Sequence, residues 1–223
     1  MSDSTKERGE GSMSQSLAIS PREIIVFDFD GTITTRDTFA LFLRYYAGTT
    51  SWALNILKLL PIFTAYGLRI IDRNAVKAHV IRRFFKNAPI RQLNESAKTF
   101  ARDVIPGLIR PLAQAELNRK KTAPESLYIC SASILPYLAV WGKDQNICHI
   151  LATELEDDGS VYTGEIKGWN VWGDGKIKRI YHELGTNSVR ILEAYGDSRG
   201  DQELLLAAEV PHWRPFRLNE THD

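Results

Sequence analysis

Four apolar residues, Ile24-Ile25-Val26-Phe27, run without alternation into Asp28-Phe29-Asp30-Gly31-Thr32. A strand that is apolar on both faces needs cover on both, which parallel sheets flanked by helices provide. Asp28 and Asp30 stand two residues apart at its end, so in extended chain both carboxylates point the same way and can reach one site. Gly31 lets the backbone turn tightly just beyond, at the sheet edge where open α/β folds bind their ligands.

From Asp37 to about Lys121 strand-like alternation almost vanishes. The pattern predicts helices over 37–47, 51–70, 74–86, 90–103 and 108–120. Their breaks fall at Gly48, Asp72-Arg73, a turn at Asn87–Pro89, and Pro106-Gly107. A βα rhythm then returns: strand 126–131, helix 134–142, strands 148–153 and 161–166, helix 175–184, strand 189–196 and helix 200–208. Asp157-Asp158-Gly159 is a hairpin signal between the paired strands. This order predicts an α/β protein with a mainly parallel sheet in three layers and an inserted all-helical cap. The core is assigned to 23–36 and 108–223 and the cap to 37–107. Residues 1–22 are polar, lack the apolar segment of a secretory signal, and are expected to form a disordered tail.

With 28 Lys and Arg against 27 Asp and Glu, the formal charge of +1 offers no clustered basic surface for nucleic acid. The two cysteines, Cys130 and Cys148, cannot build a disulfide framework, so the expected compartment is reducing and cytoplasmic. Cys130, in the apolar run 127–130, reads as a small buried hydrophobe.

Three further segments carry chemistry. Ser131-Ala132-Ser133 closes the strand at 126–131, where a hydroxyl beside free helix amides suits a phosphate oxygen; helix capping is the ordinary alternative. Lys176 begins a helix, where a lysine is normally solvated. Asp197-Ser198 and Asp201 follow the strand at 189–196, where acids either cap a helix or hold a divalent cation. Together, separate strand ends supply two carboxylate pairs and a hydroxyl, with one lysine between. A phosphate monoester resists an anionic nucleophile because both are negative, and Mg²⁺ with an ammonium group removes that repulsion. A carboxylate nucleophile splits the hydrolysis into two easier steps, and a second carboxylic acid handles the proton.

At these positions the chain resembles the haloacid dehalogenase superfamily, in its phosphoserine-phosphatase-like branch with a helical type-one cap. The resemblance rests on Asp28-Phe29-Asp30-Gly31-Thr32, Ser131, Lys176, and Gly196-Asp197-Ser198 with Asp201, and spans residue 23 to about 216. It implies a Rossmann-like core and a phosphomonoester hydrolase with an aspartyl-phosphate on Asp28. It makes Asp28 nucleophile and metal ligand. Asp30 becomes general acid/base and offers its carbonyl to the metal, supported by Thr32. Thr32, Ser131, Ala132 and Lys176 form the phosphate-binding set; Asp197 ligates Mg²⁺; Ser198 and Asp201 support the acidic cluster. True dehalogenases of the superfamily lack the second aspartate, so Asp30 favours phosphoryl transfer. A phosphomutase or phosphotransferase using the same groups, and a catalytically silent binding module of this fold, are the alternatives.

The substrate is expected to be a small phosphorylated metabolite or a lipid phosphate. Against phosphoserine, Gly31 stands where that branch usually has Ser, and only the shorter Asp37 matches its acidic cap residue; Arg82 and Arg83 are the nearest cap arginines. The segment 52–71 is unusually apolar, with Lys58 and Arg69 its only charges. Two charges, Pro61 and Gly67 argue against a membrane span and leave either a packed cap helix or peripheral membrane contact. This segment, with Asp37-Thr38-Phe39, Phe42-Leu43-Arg44-Tyr45 and His212-Trp213-Arg214, resembles the phosphatidylglycerophosphatase C group. Tyr45, Tyr46 and Trp52 are expected either to line the substrate side of the cap or to fill its core.

Overall fold

The computed structural model describes residues 20–217. The tail expected to be disordered therefore lies outside the described residues up to position 19, while Arg22 already belongs to the first strand. Strand β1 (Arg22–Phe27) sits in the interior of a seven-stranded sheet. It pairs in parallel with β3 (Leu127–Ile134), Ile25 opposite Leu127 and Phe27 opposite Ile129. On its other side it pairs in parallel with β6 (Val189–Gly196), Phe27 opposite Tyr195. Parallel β4 (His149–Asp157) and β7 (Val210–Trp213) extend the sheet outward. Strand β5 (Val161–Lys167) folds back antiparallel on β4 through the Asp158-Gly159 turn, where Asp158 Oδ1 accepts from the amides of Ser160 and Val161. The order is β2-β5-β4-β3-β1-β6-β7, with β2 (Ala88–Pro89) antiparallel at one edge.

Alternation within the strands supplies both faces of the core. On β1 and β3, Ile24, Val26, Tyr128 and Cys130 face one apolar cluster; Phe27, Leu127 and Ile129 face the other. Helices α7 (Asp174–Leu184) and α8 (Gln202–Leu206) cover the first face through Ile180, Leu204 and Leu205. The second face is covered by α5 (Pro111–Lys120) and α6 (Leu135–Asp144), with residues of α1 (Thr38–Ala47), α3 (Arg73–Phe85) and α4 (Ile90–Asp103) in the same cluster. Helix α2 (Thr49–Gly67) packs on α1 and α3. The inserted helices therefore share their apolar core with the sheet. Phe42, Phe100 and Tyr137, from α1, α4 and α6, have ring centres 5.2 to 5.4 Å apart.

Four expectations need correction. The turn at Asn87–Pro89 contains β2, in which a proline is tolerated because the strand is at a sheet edge. The helix at 108–120 is a 3₁₀ turn, Ile105–Leu108, followed by α5 starting at Pro111, whose fixed φ suits a first helical position. Strand β3 runs to Ile134 rather than ending at 131. The helix at 200–208 shortens to a 3₁₀ turn (Arg199–Asp201) and α8, followed by the unforeseen β7.

Candidate active site

The carboxyl ends of β1, β3 and β6 and the start of α7 converge on one cavity of about 500 Å³, lined by Asp28, Asp30, Ser131, Lys176, Asp197 and Asp201 among others. Beyond Phe27, the amide of Asp28 still donates to Tyr195 O on β6. The chain then turns at Gly31, whose φ is +82°, and the amides of Ile33 and Thr34 both donate to Phe29 O. This turn swings Thr32 back over Asp28, so its hydroxyl donates to Asp28 Oδ2 at 3.0 Å. Thr32 was expected to support Asp30 and bind phosphate; it is instead 2% exposed and holds Asp28, because the turn carries its hydroxyl inward.

The two aspartates reach different partners. Lys176, in the first turn of α7 and 1% exposed, donates to Asp28 Oδ1 at 2.5 Å and to Asp201 Oδ1 at 2.6 Å. A buried ammonium clamped between two carboxylates replaces the solvated lysine that helices normally carry. Asp30 Oδ1 accepts from the amide and hydroxyl of Thr38, at 2.7 and 2.6 Å. Its Oδ2 accepts from Ser133 Oγ, with Ser131 Oγ farther off at 3.5 Å. Thr38 and Ser133 escaped the sequence reading, since each looks like a helix-boundary residue. Ser131 is no helix cap: it lies inside β3, its hydroxyl accepts from the Ser133 amide, and Ile134 stands at the α6 N-cap without a side-chain cap.

Asp201 Oδ2 gathers the amides of Asp197 and Ser198 and the Ser198 hydroxyl, at 2.9 to 3.1 Å, in a capping box. Asp197 Oδ2 accepts from Arg217 at 2.7 Å. Its Oδ1 is buried with no hydrogen-bond partner among the described residues. Ligand oxygens of Asp28, Asp197 and Asp201 lie within 4.8 Å of one another. Three clustered carboxylates and an orphaned buried acceptor fit a hard divalent cation such as Mg²⁺, which takes oxygen ligands. Donors engage both Asp201 oxygens, and Lys176 and Thr32 engage one Asp28 oxygen each, so Asp197 Oδ1 is the carboxylate oxygen of the three left without a donor among the described residues. The Asp30 carboxylate turns toward Thr38 and Ser133, leaving only its backbone carbonyl for a cation. Any Cβ at Gly31 would stand 2.4 Å from Asp197 Oδ2, so glycine is what permits this approach.

Burial pushes the Asp28 carboxyl well up, the Asp201 charge adds to this, and Lys176 opposes both. Burial alone would depress Lys176, yet the Asp201 and Asp28 carboxylates outweigh it and hold the ammonium above the usual lysine range. Asp201 resists its own burial through Lys176 and the Ser198 donors and lies below the usual range. Asp30 is raised, first by burial and then by the Asp37 charge, against the Ser133 and Thr38 hydrogen bonds.

A family model described as haloacid dehalogenase-like hydrolase matches residues 25–206, a span that includes every one of these acids and Lys176. The chain belongs to the haloacid dehalogenase-like hydrolase family. Protein CicA of Caulobacter vibrioides is 34% identical to it over 198 residues, 87% of this chain and 86% of that protein. Among solved structures, a Bordetella pertussis Tohama I protein of unknown function superposes with a TM-score of 0.73 at 20% identity, over 86% of this chain and 89% of that one. A probable phosphoserine phosphatase from Vibrio cholerae superposes at 0.63 and 13% identity, over 87% of this chain and 57% of that one. At such identities the likeness is one of fold.

Within this haloacid dehalogenase-like scaffold, the far cavity wall comes from residues the sequence did not single out. Arg36 stands at the start of the insertion, Phe63 and Tyr66 on α2, Arg73 and Lys77 on α3. Arg82 and Arg83, the nearest matches to a cap arginine, do not line it. Arg82 pairs with Glu165 and Arg83 donates to Asn55. Asp37 does line it, but its Oδ1 also caps α1 by accepting from Ala40 N. Tyr45, Tyr46 and Trp52 lie off the cavity: Tyr45 and Tyr46 pack against Phe100 and Phe85, and Arg44 covers Trp52.

Proposed function

We propose that the protein is a Mg²⁺-dependent phosphomonoester hydrolase acting through an aspartyl-phosphate on Asp28. The observation carrying this reading is the convergence of the Asp28, Asp197 and Asp201 oxygens within 4.8 Å, with the Lys176 ammonium 2.5 Å from Asp28. Asp28, Asp197 and the Asp30 carbonyl would hold the metal. When bound, Mg²⁺ offsets the negative charge shared by nucleophile and phosphate.

The chain's own groups account for the rest. Thr32 and Lys176 each donate to one oxygen of the Asp28 carboxylate and fix its orientation. Attack by one of these oxygens forms the Asp28–phosphorus bond as the ester oxygen leaves with the electron pair. Asp30 protonates the leaving alkoxide. Water then attacks phosphorus and gives its proton to Asp30, and cleavage of the Asp28–phosphorus bond restores the carboxylate. Asp201 positions both Lys176 and the amides of Asp197 and Ser198. Ser131, Ala132 and Lys176 offer the contacts for phosphate oxygens. The substrate class is a small phosphorylated metabolite or a lipid phosphate, and the mixed apolar and cationic far wall suits a leaving group bearing both characters.

Release of phosphate from p-nitrophenyl phosphate, with and without Mg²⁺, tests the reading. Asp28→Asn is expected to abolish turnover. Asp30→Asn should keep cation binding yet lose at least about a hundredfold in rate, the usual contribution of a positioned proton donor. A folded wild type with no Mg²⁺-dependent turnover would favour the silent binding module, and a fully active Asp30→Asn would remove Asp30 from its role.

A further inference from the structure

Helix α2 turns an apolar edge to solvent. Leu54, Leu57 and Leu60 are 54, 61 and 49% exposed, and Leu68 and Ile70 just beyond the helix are 67 and 72% exposed. Leu54, Leu57, Pro61 and Leu68 recur at spacings that place them on one face. The opposite face is satisfied, with Leu59 buried and Trp52, Ile56 and Phe63 packed on the core. A single exposed leucine is ordinary, whereas a continuous strip of them marks a surface that meets something else.

Along the strip's own chain segment the charge has one sign. No Asp or Glu occurs between Thr38 and Ile71, while Arg44, Lys58 and Arg69 do. Lys58 lies on α2 beside Leu54, Leu57 and Pro61, and Arg69 stands just past its end, whereas Arg44 covers Trp52 on the core-packed face. Asp72, the next acid, is engaged in capping α3 through Ala75 N. The strip also leads to the active site. Tyr66 belongs both to the catalytic cavity wall and to a hollow formed with Arg69, Ile70, Ile71, Asp72 and Ala75. Among the described residues no helix is long and apolar enough to cross a membrane, so contact through this strip would be from one side.

We propose that the exposed strip of α2 and its 68–70 extension docks the protein on an anionic phospholipid surface, bringing the cavity mouth against the headgroups. The proposal deepens the phosphatase reading, on which its account of substrate access rests. Aliphatic side chains entering the headgroup boundary supply the apolar contact, and Lys58 and Arg69 supply attraction to anionic lipid.

The test is co-sedimentation of the full chain with phosphatidylcholine vesicles, with or without about one third phosphatidylglycerol. The protein should bind the anionic vesicles and release in high salt. Combined Leu54→Ser, Leu57→Ser and Leu68→Ser should lower partitioning by more than about tenfold while p-nitrophenyl phosphate turnover stays unchanged. Lys58→Glu with Arg69→Glu, which leaves the strip intact, should abolish the preference for anionic vesicles. Wild type that ignores vesicles, or a serine variant that binds them as well as wild type, overturns the proposal. So does a wild-type dimer that becomes monomeric in the serine variant without either binding vesicles, since a second copy would then cover the strip. Vesicle binding by a catalytically inert wild type would sink the phosphatase reading and leave the docking standing; an active wild type indifferent to vesicles does the reverse.

Discussion

Lys77 shows how one side chain couples the insertion to the catalytic floor. On α3 and half-buried, its ammonium lies 2.9 Å from the Phe39 ring centre. Burial lowers its pKa to about 7, Asp37 and Asp30 act against this, and Arg73 reinforces it. An unfolded lysine keeps its proton to about pH 10.4. Between those values the unfolded state binds more protons, so folding stability rises with pH from about 7 to about 10, and the penalty is complete below about 7. Lys77→Met is therefore expected to stabilise the fold by about 1–2 kcal/mol near pH 7, discounted for partial solvent contact, and this gain should shrink toward pH 10. Thermal melts of both proteins at the two pH values check it; an equal gain at each would remove burial as the cause. The sequence could not show Lys77 because a lysine at helical spacing reads as solvated. Asp28, Asp30, Asp197 and Asp201 are readable because strand-end motifs are local in the chain, whereas Lys176 stands out only through the family resemblance. The Thr32 partner is set by the three-dimensional path of the Gly31 turn, which no local pattern encodes. Cys130, fully buried with its thiol pushed up to about 12, matches its reading as a small hydrophobe.

At the scale of elements, the end of β3 decides which groups face the cavity. Ser131 pairs with Ala152, yet the next pairing joins Ile134 to Thr153, so Ala132 and Ser133 bulge from the ladder. The bulge re-aims Ser133 toward Asp30 and puts Ala132 on the cavity wall. Thr153 holds the neighbouring loop: its buried hydroxyl donates to Ala132 O at 3.0 Å and accepts from Val171 N at 3.1 Å. Thr153→Val should strand both backbone groups and cost about 1–3 kcal/mol in urea unfolding, with a loss of turnover as Ala132 shifts. A near-zero cost would mean that the loop closes without this anchor. The sequence set the strand three residues short because Ser-Ala-Ser looks like a helix start. Strands β2 and β7, of two and four residues, are too short for any alternation to register.

For the whole molecule, the inserted helices and the sheet share one apolar cluster, in which Phe42, Phe85 and Phe100 meet Tyr137 and Ile134 of the sheet side. Chain order alone reads the insertion as a separate unit, because side chains far apart in sequence build this cluster and no local pattern encodes their meeting. An insertion without its own core should not melt independently. Phe100 is fully buried, with its ring 5.2 Å from Phe42 and 5.4 Å from Tyr137. Phe100→Ala is expected to cost about 3–5 kcal/mol, the usual range for an aromatic deletion that leaves a cavity. The loss should appear as a single shifted transition, superimposable when followed by far-ultraviolet circular dichroism and by aromatic fluorescence. Two separated transitions, with only the helical signal shifted, would mean that the insertion unfolds on its own. The alignment of Lys77 and Tyr66 over Asp28 would then be set by a docking equilibrium rather than by the shared core.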